Sequence, residues 1–189
     1  MKTFFQWRLA VMICLAVVSI AGIDRKTLNA LKVRHILREI ESHQTEPNSN
    51  SKDLTAEVTQ AELNAYIDHR LAKEKNQPID SLKVALLDKN RVEGKLKVDG
   101  EQLNLSLIFG EQLDFDFKGV LHTRKGTAHL DLRALKLNGQ PVSPQMLDVV
   151  IRTAAMVNGE ESGSINDWYE LPKGIKHIRV LKGRAVLYY

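Results

Sequence analysis

Cysteine is almost missing from this chain. Its 189 residues include one, Cys14, which lies inside an apolar run near the N-terminus. The segment after that run therefore has no disulfide and no thiol chemistry, and packing alone must hold it together. Ile13 precedes Cys14 at a position where lipid attachment needs a small residue, so we do not expect lipoprotein processing.

A strong excess of charge of one sign is also missing. The chain has 27 basic and 23 acidic residues and a net charge of +4. Lys2 and Arg8 contribute two of these charges, which leaves only about +2 for residues 24–189. Proteins that bind nucleic acid usually present a clustered basic face. We therefore expect no nucleic-acid partner.

Recognisable catalytic motifs are absent too. None of the six histidines forms a His-x-x-x-His pair, and no nucleophile elbow, phosphate loop or dinucleotide fingerprint occurs. We therefore expect no metal, no cofactor and no enzymatic activity. A hydrolase remains a distant alternative, and it would require two members of one polar set to meet in a cleft. That set is Asp114, Asp116, His122, His129 and Asp131.

Residues 1–23 have the layout of an export signal or a membrane anchor. Lys2 and Arg8 precede an uncharged apolar run, Leu9–Ile23. A small-x-small pattern permits cleavage before Gly22, whereas the run is shorter than the roughly 20 residues that cross a bilayer. Cleavage and anchoring both stay open. Either way, we expect a protein that is exported to the periplasm or anchored in the inner membrane facing it.

The rest of the chain divides into three parts. The pattern predicts an amphipathic helix over 24–41, which packs on the domain or continues the anchor, and a polar linker over 42–57. An exported domain follows over 58–189. It opens with a helix over 60–75, because Thr59-x-x-Glu62 is a capping box followed by an apolar stripe.

Alternating apolar residues predict five successive strands from Leu82 onward. Asp99-Gly100 is a two-residue hairpin signal, and the third strand covers Leu103–Phe109. The alternation slips between Arg133 and Leu135, which predicts a bulge. A helix over 144–157 and a hairpin of strands Ile175–Leu181 and Ala185–Tyr189 complete the pattern.

These elements predict an α+β fold. A curved antiparallel β-meander of about five strands, with a C-terminal hairpin, packs on two helices and follows the N-terminal signal or anchor helix. We expect the helices to leave part of the apolar face uncovered, as a groove for a lipid or another apolar ligand. The expected lining residues, with two aromatics at the rim, are Leu105, Leu107, Phe115, Phe117, Leu130, Met146, Val150, Ile151, Trp168 and Tyr169.

The alternative is that the helices fill the apolar face completely. The domain is then a structural or protein-interaction module of the cell envelope. Its partner would be an envelope protein. That partner would add a strand at an exposed sheet edge or contact the Asp-rich outer face of the domain. Cavity volume distinguishes the two hypotheses, since ligand sites usually enclose several hundred cubic ångströms.

The C-terminal part of the chain resembles a known ending. A helix over 144–157 and a polar loop precede Leu171-Pro172-Lys173-Gly174-Ile175, and Lys182-Gly183-Arg184-Ala185-Val186 follows. This order is similar to that of the bacterial periplasmic LmeA-like family of phospholipid-binding proteins, and more loosely to the AsmA-like and tubular lipid-binding (TULIP) proteins. The resemblance covers 58–189 and implies a curved sheet around a helix, with an apolar groove that holds acyl chains.

Overall fold

The computed structural model describes residues 24–43, 54–74, 78–103, 105–158 and 164–189. The predicted signal or anchor segment, 1–23, and most of the predicted linker lie outside these ranges. Among the helices within them, none has the length and apolar character that a membrane span requires.

The described residues form four helices and nine strands. The helices are α1 Arg25–His43, α2 Gln60–Lys73, the single turn α3 Ser106–Phe109 and α4 Gln145–Asn158. The strands are β1 Thr55–Thr59, β2 Ile79–Leu87, β3 Arg91–Asp99, β4 Gln112–Arg124, β5 Thr127–Leu137, β6 Gln140–Pro141, β7 Tyr169–Glu170, β8 His177–Leu181 and β9 Arg184–Tyr188.

The larger sheet is a curled antiparallel meander in the order β2-β3-β4-β5-β6, with β7 paired to β5. Its strands alternate as predicted: in β4, Leu113, Phe115 and Phe117 are buried on one face. Two residues of α4, Leu147 and Val150, belong to the same core. The α+β class and the curled antiparallel sheet are therefore confirmed.

A smaller antiparallel sheet, β1-β9-β8, lies beside the first. Helix α1 packs on it, and Ile40 and Val33 share a second core with Val58 and Leu187. The backbone of Gly174 comes so close to α1 that an added Cβ would lie 2.7 Å from Ile40 Cγ2. The N-terminal helix therefore packs on the domain, which was one of the two predicted arrangements.

The capping box at the start of α2 is confirmed. Thr59 Oγ1 accepts from the Glu62 N–H at 3.3 Å, and Glu62 Oε2 accepts from the Thr59 N–H at 2.8 Å. The two bonds satisfy the backbone N–H groups of Thr59 and Glu62, which would otherwise lack a partner at the start of the helix. The same box fixes the point where strand β1 turns into α2.

The bulge in β5 and the C-terminal hairpin are confirmed as well. Lys118 pairs with Ala134, but Gly119 pairs with Leu132, so Arg133 is the extra residue of the bulge. Strands β8 and β9 pair antiparallel around Lys182-Gly183.

The predicted third strand, Leu103–Phe109, is wrong. The Asp99 carboxylate accepts from two following backbone N–H groups, and the Leu105 N–H donates to Gly100 O at 2.8 Å. These bonds form a loop that contains α3, so Asp99-Gly100 is not a two-residue hairpin turn. Strand pairing passes directly from β3 to β4.

The C-terminal end of the predicted linker also needs correction. Strand β1 begins at Thr55, inside the segment 42–57, and pairs with β9. The folded part of the chain therefore begins earlier than the predicted boundary at 58. The Leu54 N–H and carbonyl also bond the Tyr189 backbone, both at 3.0 Å.

Candidate functional site

The residues predicted to line a groove fall into two groups. Seven of them are core or core-contacting side chains: Leu105, Phe115, Phe117 and Val150 are buried, and Leu130, Met146 and Ile151 pack against them. The other three are exposed: Leu107 at 99%, Trp168 at 37% and Tyr169 at 47%. The structure does not bring the ten together around one hollow, and their role in ligand binding stays a prediction.

Phe117 shows how the apolar face is filled. Its ring lies directly over Gly94 on the neighbouring strand, so a Cβ at Gly94 would come 2.1 Å from Phe117 Cζ. Only glycine leaves room for the ring at this position. The Phe117 ring therefore covers Gly94, and Phe117 also lines the first of the two hollows described below.

The opposite face of the large sheet carries cross-strand ion pairs. Lys118 Nζ lies 2.9 Å from Glu93 Oε1, and the Lys95–Asp116 and Lys97–Asp114 pairs measure 3.5 and 3.7 Å. Such pairs stabilise neighbouring strands modestly. The aspartates lie on the outer face as the alternation predicted, but each has a basic partner.

A hollow of about 490 Å³ lies on this outer face beside α2. Four lysines and two carboxylates line it, together with Gln60 and Asn64 of α2 and five less polar residues. The lysines are Lys83, Lys95, Lys118 and Lys136, and the less polar residues are Val84, Ala85, Gly94, Phe117 and Ala134. Lys83 is also paired, with Asp68 of α2. Most of the lysine charge here is therefore neutralised within the domain.

A second hollow, of about 550 Å³, separates the end of the large sheet from the small sheet. We name it the intersheet cleft and define it by six of its lining residues. They are Asn90, His122, Arg124, Trp168, Arg179 and Tyr188. The described residues that line it include no carboxylate.

Two side chains join the walls of the intersheet cleft. Asn90 donates its N–H to Val180 O at 3.2 Å and accepts from the Val180 N–H through Oδ1 at 2.7 Å. Thr123 Oγ1 bonds both the carbonyl and the N–H of Ile178, each at 3.1 Å. These four hydrogen bonds fix β8 to the large sheet.

Three of the five residues of the hydrolase hypothesis come close together. His122 and His129 face each other on β4 and β5 with ring centroids 6.3 Å apart, and His122 Nε2 lies 3.7 Å from Asp131 Oδ2. Asp114 and Asp116 lie elsewhere, with their lysines. The Thr123 hydroxyl beside His122 is hydrogen-bonded to the backbone of Ile178. No group of three or more metal-ligating side chains occurs among the residues that the structure describes.

Trp168 and Tyr169 have different surroundings. The Arg124 guanidinium lies 3.9 Å from the centroid of the Trp168 ring. The centroid of the His129 ring lies 5.4 Å from that of Trp168. The Tyr169 hydroxyl instead donates to Ser164 O at 2.6 Å. Burial, and then the nearby carboxylates of Asp167 and Asp148, raise the pKa of Tyr169. Tyr169 anchors its loop, whereas Trp168 belongs to the cleft.

Sequence reasoning did not single out Arg124 and Arg179. Arg124 ends β4 and Arg179 lies in β8, so no local motif connects them. The one available signal was the dense aromatic pair Trp168-Tyr169, of which Trp168 lines the cleft.

No protein-family model, curated protein or solved structure matches this chain.

Proposed function

We propose that this protein is a non-enzymatic binding module of the cell envelope, and that its partner contacts the polar surface of the domain. One observation carries the proposal. The apolar face of the curled sheet is packed with the protein's own side chains, with Phe115 and Leu113 almost fully buried at its centre. Polar and charged residues form the majority of the lining of both hollows described above, together with Phe117 in the first and Leu121 and Ile178 in the second.

The covered sheet edges support contact through side chains. At the outer edge of β2, Asn64 bonds both the N–H and the carbonyl of Val84 at 2.8 Å, and Gln60 Oε1 accepts from the Leu86 N–H. The outer edge of β8 is bonded by Asn90 and Thr123. A partner strand would have to displace these side chains, so the faces and the cleft are more accessible than these two edges.

An apolar ligand is the second candidate, and exposed side chains favour it. Leu107 is 99% exposed, Met156 75% and Val149 45%. These side chains could contact acyl chains at the surface without a groove. In this candidate function, as in the first, the predicted leader would export the protein or hold it at the inner membrane.

Titration of the full chain with a fluorescent long-chain fatty acid tests the proposal. We expect no saturable one-to-one binding, because the apolar face of the sheet is packed with Phe115, Phe117 and their neighbours. A Met156→Ser variant is the control, since it removes exposed apolar surface without changing the core. One-to-one binding that persists in this variant would contradict the proposal and favour an acyl-chain groove.

Photo-cross-linking in cells tests the polar surface directly. A photoreactive residue would replace Lys136 on the outer face, Arg179 in the cleft or, as a control, Leu107. We expect a discrete non-lipid adduct from position 136 or 179 and none from position 107. Lipid adducts from position 107 alone would favour the apolar candidate.

A further inference from the structure

The intersheet cleft differs in its charge from the cross-strand pairs of the outer face. On the outer face of the large sheet, the lysines at 95, 97 and 118 each have a carboxylate within 4 Å. Arg124 and Arg179 have no ion-pair partner in the part of the chain that the structure describes, although both line the cleft. Two guanidinium groups that line one hollow and have no carboxylate of the described residues within 4 Å favour binding of an anion.

The Arg124 side chain, at one wall of the cleft, is oriented before any ligand binds. Arg124 stacks on the Trp168 ring at 3.9 Å, which limits its rotamers and keeps the N–H groups at the edge of the guanidinium plane free to donate. A guanidinium that is oriented before binding loses less conformational entropy when an anion arrives. The stacked pair therefore provides a preformed contact for a carboxylate or phosphate group.

The cleft itself is preformed as well. Asn90 and Thr123 join its two walls through backbone hydrogen bonds to β8, so the walls do not depend on a ligand. Its volume of about 550 Å³ exceeds the space that one inorganic anion needs and lies in the range of small-molecule sites. Aromatic rings line the remaining space: Trp168 on one side, and Tyr188 stacked on His177 at 4.1 Å on the other.

We propose that the intersheet cleft binds a small organic anion. Its phosphate or carboxylate group accepts hydrogen bonds from Arg124 and Arg179, and its remaining portion lies against the rings of Trp168 and Tyr188. This inference deepens the proposed function and rests on it, because it assigns a site and a ligand class to the polar surface.

Fluorescence of Trp168 provides the test. The chain has two tryptophans, so a Trp7→Phe background leaves Trp168 as the single reporter. Phenyl phosphate, which combines a ring with a phosphate, should quench this fluorescence saturably. Inorganic phosphate should compete, whereas phenol should not, because the anionic group supplies the contact with the arginines.

Two variants and a matched control assign the binding to the cleft. Arg124→Gln and Arg179→Gln should each weaken phenyl phosphate binding by about tenfold or more, since each removes a charge-assisted contact. Arg184→Gln should leave the affinity unchanged, because Arg184 also lies in the small sheet but faces Glu57 at 3.7 Å. Circular dichroism of all three variants checks that the fold is retained.

A second arm of the experiment distinguishes free anions from lipid headgroups. Vesicles of phosphatidylglycerol, but not of phosphatidylcholine, should displace phenyl phosphate if the anion is presented by a membrane. Displacement by neither vesicle identifies a soluble anion as the ligand. Reading displacement at Trp168 avoids any signal from membrane binding by the predicted leader.

Two results would overturn the inference. One is the absence of saturable quenching, or of competition by inorganic phosphate, at millimolar concentrations in the natural cleft. The other is an equal affinity in the Arg124→Gln, Arg179→Gln and Arg184→Gln variants. Neither result changes the outcome of the fatty-acid titration, so failure of this site and failure of the proposed function are distinguishable.

Discussion

Glu62 connects the N-terminal helix to the domain, and its removal gives the sharpest stability prediction. Its Oε1 lies 2.5 Å from Lys32 Nζ on α1, and its Oε2 accepts the Thr59 N–H that starts α2. The residue is only 7% exposed, which makes it a buried charged side chain with three elements around it. Substitution by alanine removes both contacts at once.

The magnitude follows from these two contacts. Losing the return bond of a capping box costs about 1 kcal/mol. Losing the contact with Lys32, whose side chain is 58% exposed, costs up to about 1 kcal/mol more, because solvent screens such a pair. We therefore expect Glu62→Ala to lower the free energy of unfolding by about 2 kcal/mol. Glu62→Gln should lose about half as much, since its amide oxygen still caps Thr59.

Urea unfolding followed by circular dichroism at two pH values checks the reasoning. Burial raises the pKa of Glu62, but hydrogen bonds from Lys32 and Thr59 outweigh it and hold that pKa below the ordinary value of 4.5. A lowered folded-state pKa adds stability above the unfolded pKa, and that stability is lost as pH falls through the folded pKa. The difference between the natural chain and Glu62→Gln should therefore shrink between neutral pH and about pH 3.

The last turn of the same helix supplies the control. Arg70 and Glu74 form an exposed pair at 2.6 Å, so Glu74→Gln should change the free energy of unfolding by no more than about 0.5 kcal/mol. An equal cost for Glu62→Gln and Glu74→Gln would refute the argument. A Glu62→Gln cost that stays constant down to pH 3 would refute its electrostatic part.

Three further predictions address packing and edges, and urea unfolding measures the first two. Gly94→Ala should lower the free energy of unfolding by about 1–3 kcal/mol, because the new Cβ collides with the Phe117 ring. Asn64→Ala should cost about 1–3 kcal/mol by leaving the Val84 backbone groups unpaired, and chromatography should show whether the opened edge self-associates. Leu107→Ser should change the melting temperature very little, since Leu107 is 99% exposed.

Local patterns predicted the parts of the fold that local physics decides. Alternation placed β4 and β5 correctly, because one face of each strand is buried and a shift of one residue would reverse it. The capping box gave the start of α2 because both of its bonds lie within four residues. The break in the alternation at Arg133 predicted the bulge correctly, because this signal also lies within a few residues.

The stretch Leu103–Phe109 shows where alternation misleads. Leucine at every second position is the signal of a strand, but Asp99 begins a turn of its own by accepting from the backbone N–H groups that follow it. Gly110 then has a φ of 95°, which reverses the chain into β4. Asp99-Gly100 does mark a turn, but the aspartate begins a longer loop instead of a two-residue hairpin.

The intersheet cleft could not be predicted from the sequence. Arg124 and Arg179 lie on different sheets, which are held together by the hydrogen bonds of Asn90 and Thr123 and by a shared core that includes Val180. Asn90 adopts a φ of 58° to reach β8, which is a turn conformation that asparagine tolerates well. Contacts between distant elements of this kind leave no periodic signal in either strand.

Hydrogen bonds from side chains at the edges of β2 and β8 limit how this domain can bind a partner. A strand added at either edge must first break hydrogen bonds from Asn64 or Asn90, and each unpaired buried group costs about 1–3 kcal/mol. Contact with the outer face or the cleft requires no such opening. Binding there depends on charged side chains that are partly exposed to solvent, so its affinity should fall as ionic strength rises. Contact between the exposed apolar side chains and acyl chains would show no such dependence, and the response to salt therefore separates the two candidate functions.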